Sequence, residues 1–221
     1  YLAKGYLPEA LLNFVALLGF NPSADQEIYT LDELVETFDL SKVNKSGAVF
    51  DIAKLNWMNG MYIRAMDIDK LLKTAKPFCG GEGELVSDDL LKKILIVERD
   101  RLVTLVEIPY RIKPYTQALT YDAHLLVWKK STKEDAVVQL QSIQEFVIGL
   151  PSSIFDDVAL IESEIKQYIE SKGLQNGPVL WPMRVALSGS EQSAGPFQIA
   201  WVLGQAETIL RLKKAITKLS S

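Results

Sequence analysis

The sequence predicts a mainly α-helical chain, and three observations predict it. Apolar residues recur at three- and four-residue spacing along most of the 221 residues. Ser, Thr or Asp stands one turn ahead of several of these runs, and Gly or Pro closes them.

The elements follow in order. Pro8 occupies a first-turn position, and Ala10, Leu11, Phe14, Val15 and Leu18 fall on one helical face before Gly19. Thr30 with Glu33 forms a capping-box pattern ahead of Leu34, Val35 and Phe38. Asn44-Lys45-Ser46-Gly47 reads as a turn leading to a short strand-like Ala48-Val49-Phe50, and Asp51 caps the helix that carries Trp57. After the run from Asp67 to Lys76, Pro77-Phe78-Cys79-Gly80-Gly81-Glu82-Gly83 breaks the periodicity, so a domain junction is expected there. Ser87 then precedes Asp88, Asp89 and an apolar run to Ile96, and a further segment reaches Pro109 and Pro114. Residues 132–149 and 153–171 read as two long helices joined by Pro151, which suggests a hairpin. Asn176-Gly177-Pro178 punctuates again, and three short helices follow, over residues 180–189, 196–203 and 207–219.

Composition bounds the function. At 48% hydrophobic and 24% charged the chain can bury a substantial core, and no apolar run approaches a membrane span. It opens at Tyr1 without Met or a signal-like segment, which suggests a fragment of a longer protein. Cys79 has no second cysteine to pair with, in keeping with a reducing, cytoplasmic setting.

The net charge of −4 argues in bulk against a nucleic-acid partner. Its distribution argues the other way. Residues 1–91 carry 8 basic and 14 acidic groups, 92–133 carry 9 and 4, 134–170 carry 1 and 8, and 171–221 carry 6 and 2. Two basic blocks flank an acidic one, and a fold that brings the basic blocks together makes a positive face. Solvated helix faces are the alternative reading.

Catalytic chemistry is sparse. With His124 as the single histidine, no histidine dyad and no multi-histidine zinc site can form. The pairs Asp88-Asp89 and Asp156-Asp157 sit at expected helix starts, where the helix dipole favours carboxylates. Gly80-Gly81-Glu82-Gly83 lacks the Lys-Ser/Thr that a phosphate-cradling loop needs and reads as a linker.

Recognition is better supported. Residues 49–64 gather Trp57 and Tyr62, the amides of Asn56 and Asn59, and the cations Lys54 and Arg64, a set suited to a sugar–phosphate backbone. Within it Leu55 and Trp57 are expected to be partly core. Farther on, Arg184 follows Trp181-Pro182, and a small-residue loop through Ser193 and Gly195 feeds a helix at Pro196-Phe197 whose free amides suit phosphate or base edges. Phe197 and Trp181 could stack on an unpaired base or simply be core aromatics. Arg99, Arg101 and Arg111 are arginines, the cation suited to bidentate contacts.

Three segments together resemble one family. Residues 5–13 (GYLPEALLN) with Leu17-Leu18-Gly19-Phe20, then Phe50-Asp51 with Lys54-Leu55-Asn56-Trp57-Met58-Asn59 and Tyr62-Ile63-Arg64, then residues 182–189 (PMRVALSG) with Gly195-Pro196-Phe197 and Val202-Leu203-Gly204, look like the carboxy-terminal half of a bacterial glutamyl-tRNA synthetase. That resemblance implies a class I aminoacyl-tRNA synthetase joining glutamate to tRNA(Glu) through an ATP-dependent adenylate, cytoplasmic and monomeric, with no membrane or DNA partner. Neither the HIGH-type nor the KMSKS-type motif of that family occurs in these residues. ATP and Mg2+ would then belong to the full-length parent, and this part alone is expected to be inactive.

The resemblance further implies a stem-contact domain over residues 1–78 and a helical-cage anticodon-binding domain over 79–221, with lobes of about 79–150 and 151–221. Lys54, Asn59 and Arg64 become the expected stem contacts. Arg101 matches the family arginine that reads the third anticodon base, a cytosine in glutamate tRNA where guanine marks glutamine tRNA, which implies a discriminating enzyme. Arg184, Ser193, Gly195 and Phe197 match positions near the other anticodon bases. Ala194 and Pro196 depart from the common family pattern, which leaves the loop's conformation open. A free-standing tRNA-binding module and a helical protein-interaction scaffold are the other readings of the same residues.

Overall fold

A computed structural model describes residues 1–20, 26–43, 49–81 and 86–220. Among the described residues there are ten α-helices and several short 3-10 turns, and no strand. The chain divides into two compact units, Tyr1–Ile112 and Lys113–Ser221.

In the first unit, α1 (Pro8–Gly19) starts on a proline whose missing N–H costs nothing in a first turn. Helix α2 (Leu31–Thr37) opens with the expected capping box: the Glu33 amide donates to Thr30 Oγ1 at 3.2 Å, and the Thr30 amide to Glu33 Oε2 at 2.6 Å. Asp51 accepts from the amides of Ala53 and Lys54 and so starts α3 (Ile52–Ala65). Asp67 does the same for α4 (Ile68–Ala75), and Ser87 for α5 (Asp88–Glu98). Helix α6 spans Ile108–Thr116, and the division between units falls inside it.

The core between α1 and α3 is Tyr6, Phe14, Leu55 and Met58, with Leu11, Leu17, Leu18 and Ile28 packed around it. Two asparagines are buried inside this apolar setting. Asn13 Oδ1 accepts from the Tyr29 amide at 2.7 Å and from the Tyr62 hydroxyl at 2.6 Å. Burial pushes the Tyr62 hydroxyl up to about 12, so it remains a donor. Asn59, with no exposed surface, accepts from the Leu7 amide at 2.8 Å and donates to the Val103 carbonyl at 2.5 Å. Beside it the Leu105 amide donates to the Gly5 carbonyl at 3.0 Å. Gly5 has φ 78°, and a Cβ there would stand 2.5 Å from the Leu105 nitrogen and 2.6 Å from that of Val106. Only glycine lets these two backbones approach so closely.

In the first unit two expectations differ from what folds. Val49 and Phe50 form no strand, while Ala48 and the turn at residues 44–47 lie outside the described residues. The stretch around residues 77–79 lies within the first unit and does not divide the compact units. Lys76–Phe78 continues α4 as a 3-10 turn, Cys79 is buried with its thiol pushed up by burial, and α4 packs on α5 across the gap. Glycine and proline mark a turn here, and the apolar faces of Leu71 and Ala75 and of Leu91, Ile94 and Leu95 keep the flanking helices in one core. Glu82 and Gly83 of the expected linker are not among the described residues.

In the second unit, α7 (Lys133–Gly149) begins at a Thr132/Asp135 capping box and packs on α9 (Asn176–Ser188) and α10 (Pro196–Ser220). Helix α8 (Val158–Ser171), capped by Asp157, stacks Tyr168 on Phe146 of α7 with ring centroids 4.1 Å apart. Pro151 leads into a 3-10 turn, Ser152–Asp156, that joins α7 to α8. Because α7 shares its core with α9 and α10, the position 150/151 separates no compact units. Gly204 (φ 73°) breaks α10 into two helical segments, and the adjacent Gln205 amide donates to the Val147 and Leu150 carbonyls at the end of α7.

Three outcomes are expected from these contacts. Asn59→Ala leaves a buried amide and a buried carbonyl without partners and lowers unfolding free energy by about 3 kcal/mol in urea titration; a loss under about 1 kcal/mol would contradict the clamp. Gly5→Ala combines a left-handed backbone with a backbone clash and costs about 2 kcal/mol or more in the same assay. Hydrogen bonds from the Lys70 and Asp69 amides hold the Asp67 carboxyl below its usual range. Because its folded value is depressed, its stabilisation is present above the unfolded value and disappears as pH falls through the folded one. The difference in melting temperature between the parent and Asp67→Ala should therefore shrink below pH ~4.

Candidate nucleic-acid interface

In the first unit the expected contact residues separate by burial. Lys54 stands at the surface near the start of α3, its Nζ 2.5 Å from Glu27 Oε1, with both side chains more than a third exposed. Such a pair contributes little to stability, so a phosphate can compete for the ammonium. Asn59 is corrected here: it has no exposed surface and its amide is used by Leu7 and Val103, so it ties the fold and reaches no ligand. Leu55 is core as expected, whereas Trp57 is 44% exposed and adds a flat apolar surface beside Lys54.

Arg64, at the end of α3, approaches the Asp100 carbonyl at 3.4 Å. It therefore lies beside the 3-10 turn Arg99–Arg101. A Cβ at Gly60 would stand 3.1 Å from Arg64 Nη1, so the glycine leaves room for this placement. Arg101 Nη1 donates to Glu98 Oε2 at 2.8 Å, and Glu98 is buried. Arg111 donates to the Arg101 carbonyl at 3.0 Å and reaches Glu98 at 3.8 Å and Glu107 at 3.4 Å. Buried Glu98 fixes the Arg101 guanidinium, whose side chain keeps 29% of its surface, so the cation is held in one orientation and still reachable.

The second unit carries an open groove of about 540 Å3. Trp128, Trp181, Arg184, Lys166, Gly195 and Gln198 line it, with Phe197 in its wall. Trp181 Nε1 donates to the Leu125 carbonyl at 2.9 Å, which fixes the indole, and the Trp128 ring leans on it at 5.0 Å between centroids. Lys129 Nζ lies 4.5 Å from the Trp128 ring. Asn176 and Gly177 at the start of α9, and residues 195–198 at the start of α10, border the same space. Two helix N-termini with unused amides therefore supplement the Arg184 guanidinium, which has no partner among the described residues. Lys166 is paired with Glu162 on α8.

Gly195 is needed locally. A Cβ there would lie 2.2 Å from Gln198 Oε1, whose oxygen is buried without a hydrogen-bond partner. The structure thus joins Arg184, Gly195 and Phe197 in one groove, while Ser193 turns its hydroxyl to the Ala194 carbonyl at 3.0 Å and is not part of the lining. Phe197 is buried and serves as wall, so the aromatic faces of the lining are those of the half-buried Trp128 and Trp181. Trp128, Lys166 and Gln198 were not singled out from sequence, and Asn176 was read only as part of a turn. For Trp128 a signal existed, an indole followed at once by Lys129 and Lys130; for Gln198 there was none.

Elsewhere the chemistry is quiet. His124 is exposed and pairs with Asp122 at 2.8 Å. Among the described residues no group of three or more His, Cys, Asp or Glu could hold a metal ion, and no helix is long and apolar enough to cross a membrane.

Comparison with known proteins places these features in a family. The model of the anticodon binding domain matches residues 70–216, and that of the class I tRNA synthetase (E and Q) catalytic domain matches residues 1–57. The glutamate–tRNA ligase of Clostridium botulinum strain Hall is 38% identical over the whole chain, and that of Clostridium tetani is also 38% identical. The chain spans 45% of each of these relatives. The crystal structure of a glutamate tRNA ligase from Elizabethkingia meningosepticum, in complex with its amino acid, superposes with a TM-score of 0.84 at 32% identity, covering 99% of this chain and 43% of that one. The glutamate-tRNA synthetase of Elizabethkingia anophelis gives 0.81 at 31%, covering 98% and 42%. With a family match that spans residues 70–216, more than half of its length, the chain belongs to the anticodon-binding-domain family.

Proposed function

We propose that this chain is the tRNA-reading part of a cytoplasmic, monomeric glutamate–tRNA ligase, which binds tRNA(Glu) and no DNA while the rest of such a ligase forms the glutamyl-adenylate from ATP with Mg2+. The observation that carries the proposal is the groove of the second unit. A guanidinium without a partner among the described residues, two helix N-termini and two tryptophan faces converge there, in a chain matched to anticodon-binding domains. Single-stranded RNA is read by stacking unpaired bases and bonding their edges, and the groove offers both. Aromatic faces hold the base plane and are tolerant of sequence; the arginine and the amides address its edge and are not.

Arg101 supplies the distinction between glutamate and glutamine tRNAs at the third anticodon base. A guanidinium only donates, and cytosine and guanine arrange their acceptors differently along the pairing edge. Its anchoring by Glu98 makes it selective, because a donor that cannot swing cannot adapt to the wrong base. Lys54, Arg64 and the exposed Trp57 contact the stem, where contacts position the RNA without reading it.

Two outcomes are expected in filter-binding titrations of this chain with glutamate and glutamine tRNA transcripts differing only at the third anticodon base. Arg101→Gln removes the preference for cytosine, a change of ~1–3 kcal/mol in relative affinity; an unaltered preference would sink its assignment. Lys54→Ala weakens both transcripts equally and lowers the slope of log affinity against log salt by about one.

A further inference from the structure

A second cavity on the same unit, of about 240 Å3, lies between residues 117–121, Ala186 of α9 and the last turns of α10. Arg211, Lys214, Lys218, Tyr121, Gln117 and Glu207 supply its polar lining. Arg211 is 5% exposed and firmly held: Nε donates to Glu207 Oε1 at 2.8 Å, and Nη1 to the carbonyls of Pro114 at 2.6 Å and Leu187 at 2.7 Å. Its Nη2 has no partner among the described residues. Lys214 is exposed and has no acidic partner among the described residues, and Lys218 Nζ rests 5.2 Å from the Tyr121 ring. Burial raises the Tyr121 hydroxyl above its usual range, so it too is a donor. Glu207, the one acid in the lining, is already engaged by Arg211.

The inventory is three cations against one paired carboxylate, with hydrogen-bond donors in excess. That chemistry fits an anion. The volume is below the ~300 Å3 at which drug-sized ligands begin, which fits a single tetrahedral group better than a nucleotide. The cavity also joins the two basic blocks, since residues 117–121 come from one and Arg211, Lys214 and Lys218 from the other. Ala186 is two residues from Arg184, about 200° around α9, so this cavity and the groove occupy opposite faces of that helix.

From these features we infer that the cavity seats a backbone phosphate of the bound RNA, apart from the groove that reads bases. The inference rests on the RNA-binding role proposed above. A phosphodiester there pairs one oxygen with Arg211 Nη2 at the floor and meets Lys214 and Lys218 at the mouth, adding affinity and no sequence preference.

The test uses the 221-residue chain and the double variant Lys214→Ala/Lys218→Ala, whose side chains lie at the surface of α10. Affinity for the two transcripts should fall by the same factor, about tenfold at 0.1 M salt, with the salt slope smaller by about two. Lys172→Ala, with its ammonium over Tyr168 outside the cavity, should leave the slope unchanged. An unchanged slope in the double variant overturns the inference while leaving anticodon reading intact. Titration with inorganic phosphate, followed through the Tyr121 ring resonances, separates the sources. Shifts in the parent alone, together with the reduced RNA slope, support the phosphate seat. The same shifts with an unchanged RNA slope identify a site for free phosphate and overturn the RNA assignment. If the parent binds neither transcript, the proposed function fails, and with it the RNA assignment of the cavity.

Discussion

A chain that folds into many short helices must find partners for the backbone groups left over between them, and this constraint governs both units. Strands would pair such groups with one another. Here buried side chains do it. In the first unit the Asn59 amide joins the Leu7 amide to the Val103 carbonyl, linking residues far apart in the chain. In the second, the Arg211 guanidinium collects the carbonyls of Pro114 and Leu187. Each residue satisfies groups that would otherwise cost about 1–3 kcal/mol apiece when buried. Each also fixes the segments on which recognition residues stand.

The recognition chemistry inherits that rigidity. Glu98, buried at the end of α5, holds Arg101, and Arg111 secures the same turn through the Arg101 carbonyl. Trp181 is oriented by the Leu125 carbonyl, and Trp128 leans on Trp181. Preorganised donors and aromatic faces would lose little freedom on meeting the proposed RNA, so more of the contact energy would remain as affinity. The groups at the groove without partners among the described residues, the Arg184 guanidinium and the Gln198 oxygen, stand on α9 and on the first turn of α10, both packed in the core of the unit.

Much of this was legible in the residue order. Pro8, Thr30 with Glu33, Asp51 and Ser87 mark helix starts because capping is a local interaction, complete within four residues. Arg184, Gly195 and Phe197 were also legible as neighbours, through family resemblance and the loop that joins their helices. Asn59 was misread, since an amide near a cation looks the same in sequence whether it faces solvent or a buried carbonyl. Trp57 and Leu55 read alike as partly core, and the fold separated them, because two positions apart on a helix point to different faces. The expected junction after residue 78 was drawn from glycine and proline alone, which report backbone freedom and carry no information about which helices share a core.

Residue order alone therefore gives the helical class, several of the places where helices begin and the blocks of charge, since each depends on neighbours within a turn or on counting. The tertiary structure decides the rest. It alone turns Asn59 inward, divides the chain inside α6, gathers Trp128 to Arg184 and the two helix N-termini, and brings Tyr121 to Lys218 across ninety-odd residues. The physical reason is that burial and juxtaposition come from the packing of helices distant in sequence, and no local pattern encodes which face of a helix will meet which partner.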